Sequence, residues 1–131
     1  MEYLNVLVAA AGSFGFGAVW YTALSKPWLK AAGIECDADG KPVVKASPVP
    51  FIYSAICMIL VAGFLRHIYA MSGVTSVADG ALGGFGIGLF FISPWVMMNY
   101  GYAGRPFNLT LLDSGYAVIG CTIIGTILNL F

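Results

Sequence analysis

Charge is the scarcest property of this chain: 9% of its 131 residues are Asp, Glu, Lys or Arg, against roughly 25% in an average soluble domain. Its six cations and six anions cancel, so there is neither a basic surface for nucleic acid nor an acidic solvating tail. One histidine is too few for a multi-histidine metal or haem site. No Gly-x-Ser-x-Gly, His-Glu-x-x-His, P-loop or Cys-x-x-Cys-His string occurs. No catalysis, cofactor or bound metal is therefore expected. Cys36, Cys57 and Cys121 have the spacing of neither a disulfide framework nor a metal site.

What the chain has instead is apolar length, with 60% of its residues hydrophobic. Four stretches stand out, at about 4–24, 50–69, 80–100 and 107–131. Each supplies the roughly 20 helical residues needed to cross a hydrocarbon core about 30 Å thick. None alternates apolar and polar residues as a barrel strand does, and a backbone in lipid must satisfy its own hydrogen bonds. The expectation is an all-α integral membrane protein: one domain spanning residues 1–131, built as a bundle of four transmembrane helices. The first stretch begins with Glu2 rather than Lys or Arg and ends at Trp20-Tyr21 and Lys26, so it reads as a retained span and not a cleaved signal.

With four crossings, the loop at 25–49 and the turn at 101–106 share one side, which carries Lys26, Lys30, Lys41, Lys45 and Arg105. The other side has Arg66 and His67. The positive-inside tendency puts the first side in the cytoplasm and both termini outside. Trp20, Tyr21, Trp28, Tyr100 and Tyr102 fall on the cytoplasmic rim with Lys26 and Arg105, and Tyr3 and Tyr69 on the outer one. Arg66 is expected to snorkel to headgroups, and His67 has Asp79 as a conceivable partner. The loop at 25–49 predicts an interfacial turn around Trp28 and then irregular chain. Glu35, Asp37, Asp39 and Gly40 mimic the start of a calcium loop, but Ala46 stands where a bidentate Glu is needed, so the segment reads as a solvated acidic turn.

Two features remain. Gly80, Gly84 and Gly88 recur at four-residue spacing in the third stretch, which makes a flat groove where another helix can approach closely. The first stretch has a similar strip in Ala9, Ser13 and Gly17, and the fourth in Ala117, Cys121 and Gly125. These strips suit packing inside the chain; the functional reading is an interface for a homo-oligomer or other membrane subunits, docking through the groove at Gly80, Gly84 and Gly88. Pro94 interrupts the third stretch and predicts a kink that frees the Phe90 carbonyl.

The second feature is Asp113, about six residues inside the fourth stretch. A charged Asp near the bilayer centre costs about 3 kcal/mol, so it should face the bundle. Residue depth predicts a polar cluster of Tyr21, Ser54, Ser93, Asn99, Asp113 and Ser114. Arg105 is the nearest cation in sequence, and the helix-start amides around Asn108 to Leu111 offer a second counterweight. Three roles follow: a structural carboxylate pinning helices together, the lining of a cavity for a small solute, ion or ligand, or proton transfer.

The strings AVWYTALSKPW at 18–28 and NYGYAGRPFNLTLLDSGY at 99–116, with the glycine-rich helix between them, resemble the small bacterial four-helix membrane proteins of the domain of unknown function 1761 family. Trp20-Tyr21, Lys26, Trp28, Asn99-Tyr100, Gly104-Arg105-Pro106 and Gly115-Tyr116 carry the likeness. It implies a multi-pass protein of the bacterial inner membrane and no activity. At Asp113 the resemblance leads one to expect an uncharged polar residue such as Asn. The leading expectation is a non-catalytic subunit or scaffold of a membrane assembly or homo-oligomer. The alternative is a solute or ion transporter, or ligand binder, working through the cluster around Asp113.

Overall fold

A computed structural model describes residues 2–131 of the protein. In chain order it forms α1 (Glu2–Ala23), the short α2 (Ser25–Ala31), α3 (Val49–Ser72), α4 (Val77–Ile87), a π-helical turn (Gly88–Ile92), α5 (Ser93–Tyr102) and α6 (Phe107–Leu128). Four spans, Tyr3–Ala23, Val49–Ser72, Val77–Tyr102 and Phe107–Leu128, are long and apolar enough to cross a membrane. The architecture is an all-α membrane bundle in which α4, the π turn and α5 make up the third span.

Local chemistry sets the boundaries. The third span starts at Val77 because Ser76 caps it: its hydroxyl accepts from the Asp79 amide at 3.0 Å and donates to the Asp79 carboxylate at 2.7 Å. Asp79 is therefore held by its own helix start rather than by His67, whose ring lies exposed beside Phe64. At the end of α3, Gly73 takes φ 69°, a left-handed cap suited to glycine, and Val74 donates back to the Tyr69 carbonyl. In the loop at 25–49, α2 supplies the expected turn around Trp28. Beyond it, the Asp37 carboxylate accepts from the amides of Asp39 and Lys41, so the acidic string folds into a tight turn with Gly40 at φ 78°.

Helix α6 is the hub. It packs on α1, α2, α3, α4, the π turn and α5, and buries residues on several faces, among them Leu109, Cys121, Ile124, Gly125 and Leu128. The apolar core of Ala9, Ala10, Ala62, Leu65, Tyr69, Ile124 and Leu128 lies in the half of the bundle near the chain termini. There the buried Asn5 donates to the carbonyls of Leu128 and Phe131, and Arg66 to that of Leu128. These contacts supply hydrogen bonds that the end of α6 cannot make for itself. Arg66 thus reaches the end of α6.

The glycine groove is filled from within the chain. A Cβ on Gly80 would strike the Gly125 carbonyl, one on Gly84 the Cys121 carbonyl, and one on Gly88 would sit 2.7 Å from the Ala117 carbonyl oxygen. Gly125 faces Gly80 in return, and the Tyr69 hydroxyl donates to the Gly80 carbonyl at 2.5 Å. The strip on α1 is used the same way: Ala9 lies in the core, Ser13 packs on Gly120, and Gly17 lies under the Tyr116 ring. Of the two readings of Gly80, Gly84 and Gly88, packing inside the chain is the one observed and the partner groove is not, because α6 occupies it and packing is what holds membrane helices together.

The distortion expected from Pro94 takes the form of a π turn that contains Phe90. Ahead of the proline the helix widens into the π turn, and the Ser93 hydroxyl donates to the Gly88 carbonyl at 2.7 Å. Pro94 then sits in the first turn of α5, where a missing amide hydrogen is best tolerated.

Candidate functional site

The half of the bundle near α2 is built around Asp113. The chain leaves α5 through a tight turn in which Gly104 has φ 70° and the Arg105 amide bonds the Tyr100 carbonyl at 2.9 Å. Pro106 then adopts extended backbone and α6 begins at Phe107. This return makes α5 and α6 antiparallel neighbours and leaves Asp113 half-buried.

Three side chains from three elements converge on that carboxylate. Its Oδ1 accepts from the Tyr21 hydroxyl of α1 at 2.7 Å and the Trp28 indole of α2 at 3.0 Å, and its Oδ2 from the Tyr100 hydroxyl of α5 at 2.6 Å. Both oxygens are engaged. Aromatic rings fix the donors: Tyr21 meets Trp28 edge-on at 5.9 Å and Tyr116 at 5.5 Å, and Tyr116 stacks on Phe16. Next to them the Trp20 indole donates to the Leu112 carbonyl at 3.0 Å. Its ring passes where a Cβ at position 115 would stand, 2.8 Å from the nearest ring carbon, so Gly115 makes room for it.

The structure brings only part of the expected cluster together. Tyr21 and Asp113 meet. Ser54 is exposed and bonds the Pro50 carbonyl of its own helix, Ser93 serves the π turn, and Asn99 is exposed. The Ser114 hydroxyl is buried and has no hydrogen-bond partner among the described residues. The counter-group to Asp113 is also not the one expected. Arg105 donates to the Ala32 carbonyl at 2.9 Å, closing the turn at 101–106 against the end of α2, while Lys26 stays exposed on the rim.

The residues missed as Asp113 partners were Trp28 and Tyr100, read only as members of an interfacial belt. Counting residues across the turn pairs Asp113 with positions near 95. But a helical side chain leans toward the helix N-terminus, so the long Tyr100 side chain leans from α5 away from the turn, toward Asp113. That tilt was available in the sequence.

Beside this knot, a cleft of about 430 Å³ separates α1 from the first half of α3, with Tyr21 and Tyr116 in its wall. The three thiols are free: Cys36 and Cys57 exposed, the latter on the cleft, and Cys121 buried against α4.

Among known proteins, residues 4–129 match the family described as protein of unknown function (DUF1761). No curated protein and no solved structure matches the chain.

Proposed function

Since the chain belongs to the DUF1761 family over nearly its whole length, and that family's description assigns no activity, we propose from the geometry that it acts without catalysis, as a subunit or scaffold of a membrane assembly or as a homo-oligomer. The observation that carries this reading is the saturation of Asp113. A carboxylate with both oxygens bound to donors on α1, α2 and α5 joins those elements to α6, and it has little left to offer a substrate. Ser93 and Ser54 likewise spend their hydroxyls on nearby carbonyls.

A surface open to partners is α3. Its buried residues, Ala62, Leu65 and Tyr69, all lie in its second half, and the first half stands off the bundle. Ile56, Leu60 and Phe64 are exposed along the helix. Where packing drives helix association, a span held along half its length gains stability from a neighbouring chain. The reading places the protein in a bacterial inner membrane, both termini outside, with the cations of 25–49 and Arg105 facing the cytoplasm.

A photo-reactive amino acid placed at Leu60 and at Phe64 tests this in living cells. The expected product is a discrete covalent adduct with a polypeptide, either a second copy or another membrane protein. Adducts with lipid alone at both positions would count against assembly through α3.

The second reading, a transporter or ligand binder working through Asp113, is favoured by the cleft at Tyr21. It requires the carboxylate to exchange its three donors for a solute. Flux in proteoliposomes that is lost in Asp113→Asn would establish it, and unchanged flux would remove its basis.

A further inference from the structure

The cleft between α1 and α3 has a cause. Below Met58 the two helices are kept apart by Tyr116, which reaches up from α6 into the space left by Gly17, where a Cβ would lie 2.7 Å from the ring. The Tyr116 hydroxyl is anchored to the Ser13 carbonyl at 2.9 Å and approaches the Met58 sulfur at 3.5 Å, while its ring stacks on Phe16 and meets Tyr21 edge-on. A wedge held at its hydroxyl and at its ring does not collapse, so the cleft is preformed.

Its position and lining identify the occupant. The walls are Phe14, Ala18, Phe51, Cys57, Met58 and Tyr116, and polar side chains, Thr22 and Ser54, gather at the end nearest α2. Both flanking helices are membrane spans, so the slot opens sideways at bilayer depth. Its volume, about 430 Å³, lies toward the small end of ligand pockets, roughly 300–1,000 Å³.

We propose that this cleft is a binding site for one acyl chain of a bilayer phospholipid, with the chain along Tyr116 and Met58 and the glycerol end near Thr22 and Ser54. Hydrocarbon is what the surroundings supply at that depth, and an apolar slot there is filled most favourably by it. The rigid aromatic wall distinguishes the site from ordinary lipid-facing surface. It is independent of assembly, since Leu60 and Phe64, the probes for a partner, do not line the cleft.

The test is photolysis of the full-length protein in vesicles of palmitoyl-oleoyl phosphatidylethanolamine and phosphatidylglycerol, doped with a phosphatidylcholine bearing a diazirine on its acyl chain. Adducts are mapped by peptide mass spectrometry. They should concentrate on Ala18, Cys57 and Met58 relative to Phe90 and Phe91, which are exposed outside the cleft. Ala18→Phe and Cys57→Trp, each at an exposed position, should separately abolish the cleft adducts and leave those at Phe90 unchanged. Adducts spread evenly over all exposed apolar positions would overturn the proposal. So would cleft adducts that survive both substitutions, or links between two copies of the chain in place of lipid adducts.

Discussion

Replacing Asp113 by Ala removes the acceptor for Tyr21, Trp28 and Tyr100 at once. Side-chain hydrogen bonds between membrane helices average about 0.6 kcal/mol each, which gives roughly 2 kcal/mol for the three. Bonds to a charged acceptor run about 1.5 to 3 kcal/mol each, which for three sets an upper range of roughly 4.5 to 9. Asp113 is half-buried and water can re-satisfy part of the loss, so a value of about 2 to 3 kcal/mol is expected. By soluble-protein scaling this lowers Tm on the order of 10 °C. Asp113→Asn keeps an oxygen for Tyr21 and Trp28 and turns an amide toward Tyr100, whose hydroxyl can accept instead, so its loss should be about 1 kcal/mol. Thermal unfolding in mild detergent, followed by Trp fluorescence, ranks the three proteins. Tyr100→Phe should cost about 0.6 kcal/mol alone and almost nothing when combined with Asp113→Ala, because its partner has gone. The reasoning fails if Asp113→Asn is as stable as the parent or more so, the pattern expected when a group is kept for activity at the expense of stability.

Three further outcomes follow. Gly84→Ala should lower stability by about 1 to 3 kcal/mol or abolish folding, since its methyl meets the Cys121 backbone, whereas Gly86→Ala, with open space around it, should melt at or above the parent temperature. Gly115→Ala should displace the Trp20 indole and release its bond to Leu112, which a shift in Trp20 fluorescence against a Trp28→Phe, Trp95→Phe background would report. With Cys57 and Cys121 replaced by Ala, Cys36 should react with an impermeant maleimide in inverted vesicles and not in intact cells; the reverse pattern would invert the proposed topology.

The spans were legible because each is apolar over a membrane's thickness, and the errors at their ends come from local capping. Ser76 and Asp79 start the third span before its apolar run begins, and Gly73 lets α3 run past Tyr69. The glycine spacing announced close helix contact, but small residues serve contacts within and between chains alike, and only the fold shows α6 in the groove. Asp113 was recognisable as a residue needing partners. Its donors were harder to see because Trp and Tyr near a membrane surface are ordinarily explained by the interface itself. The π turn left no clear trace, since Pro94 marks a disturbance on its N-terminal side, at Phe90, without saying that the helix widens there. Arg105 misled for a simple reason: nearness in sequence put it beside Asp113, while the turn at Gly104 directs it to Ala32.

The assembly reading is tested most directly by native mass spectrometry of the tagged protein, extracted from its own membrane in mild detergent. The prediction is a reproducible mass greater than one chain, from a second copy or from another polypeptide, that persists in Asp113→Asn. A lone chain carrying at most a lipid, under conditions that keep other membrane complexes intact, would contradict it.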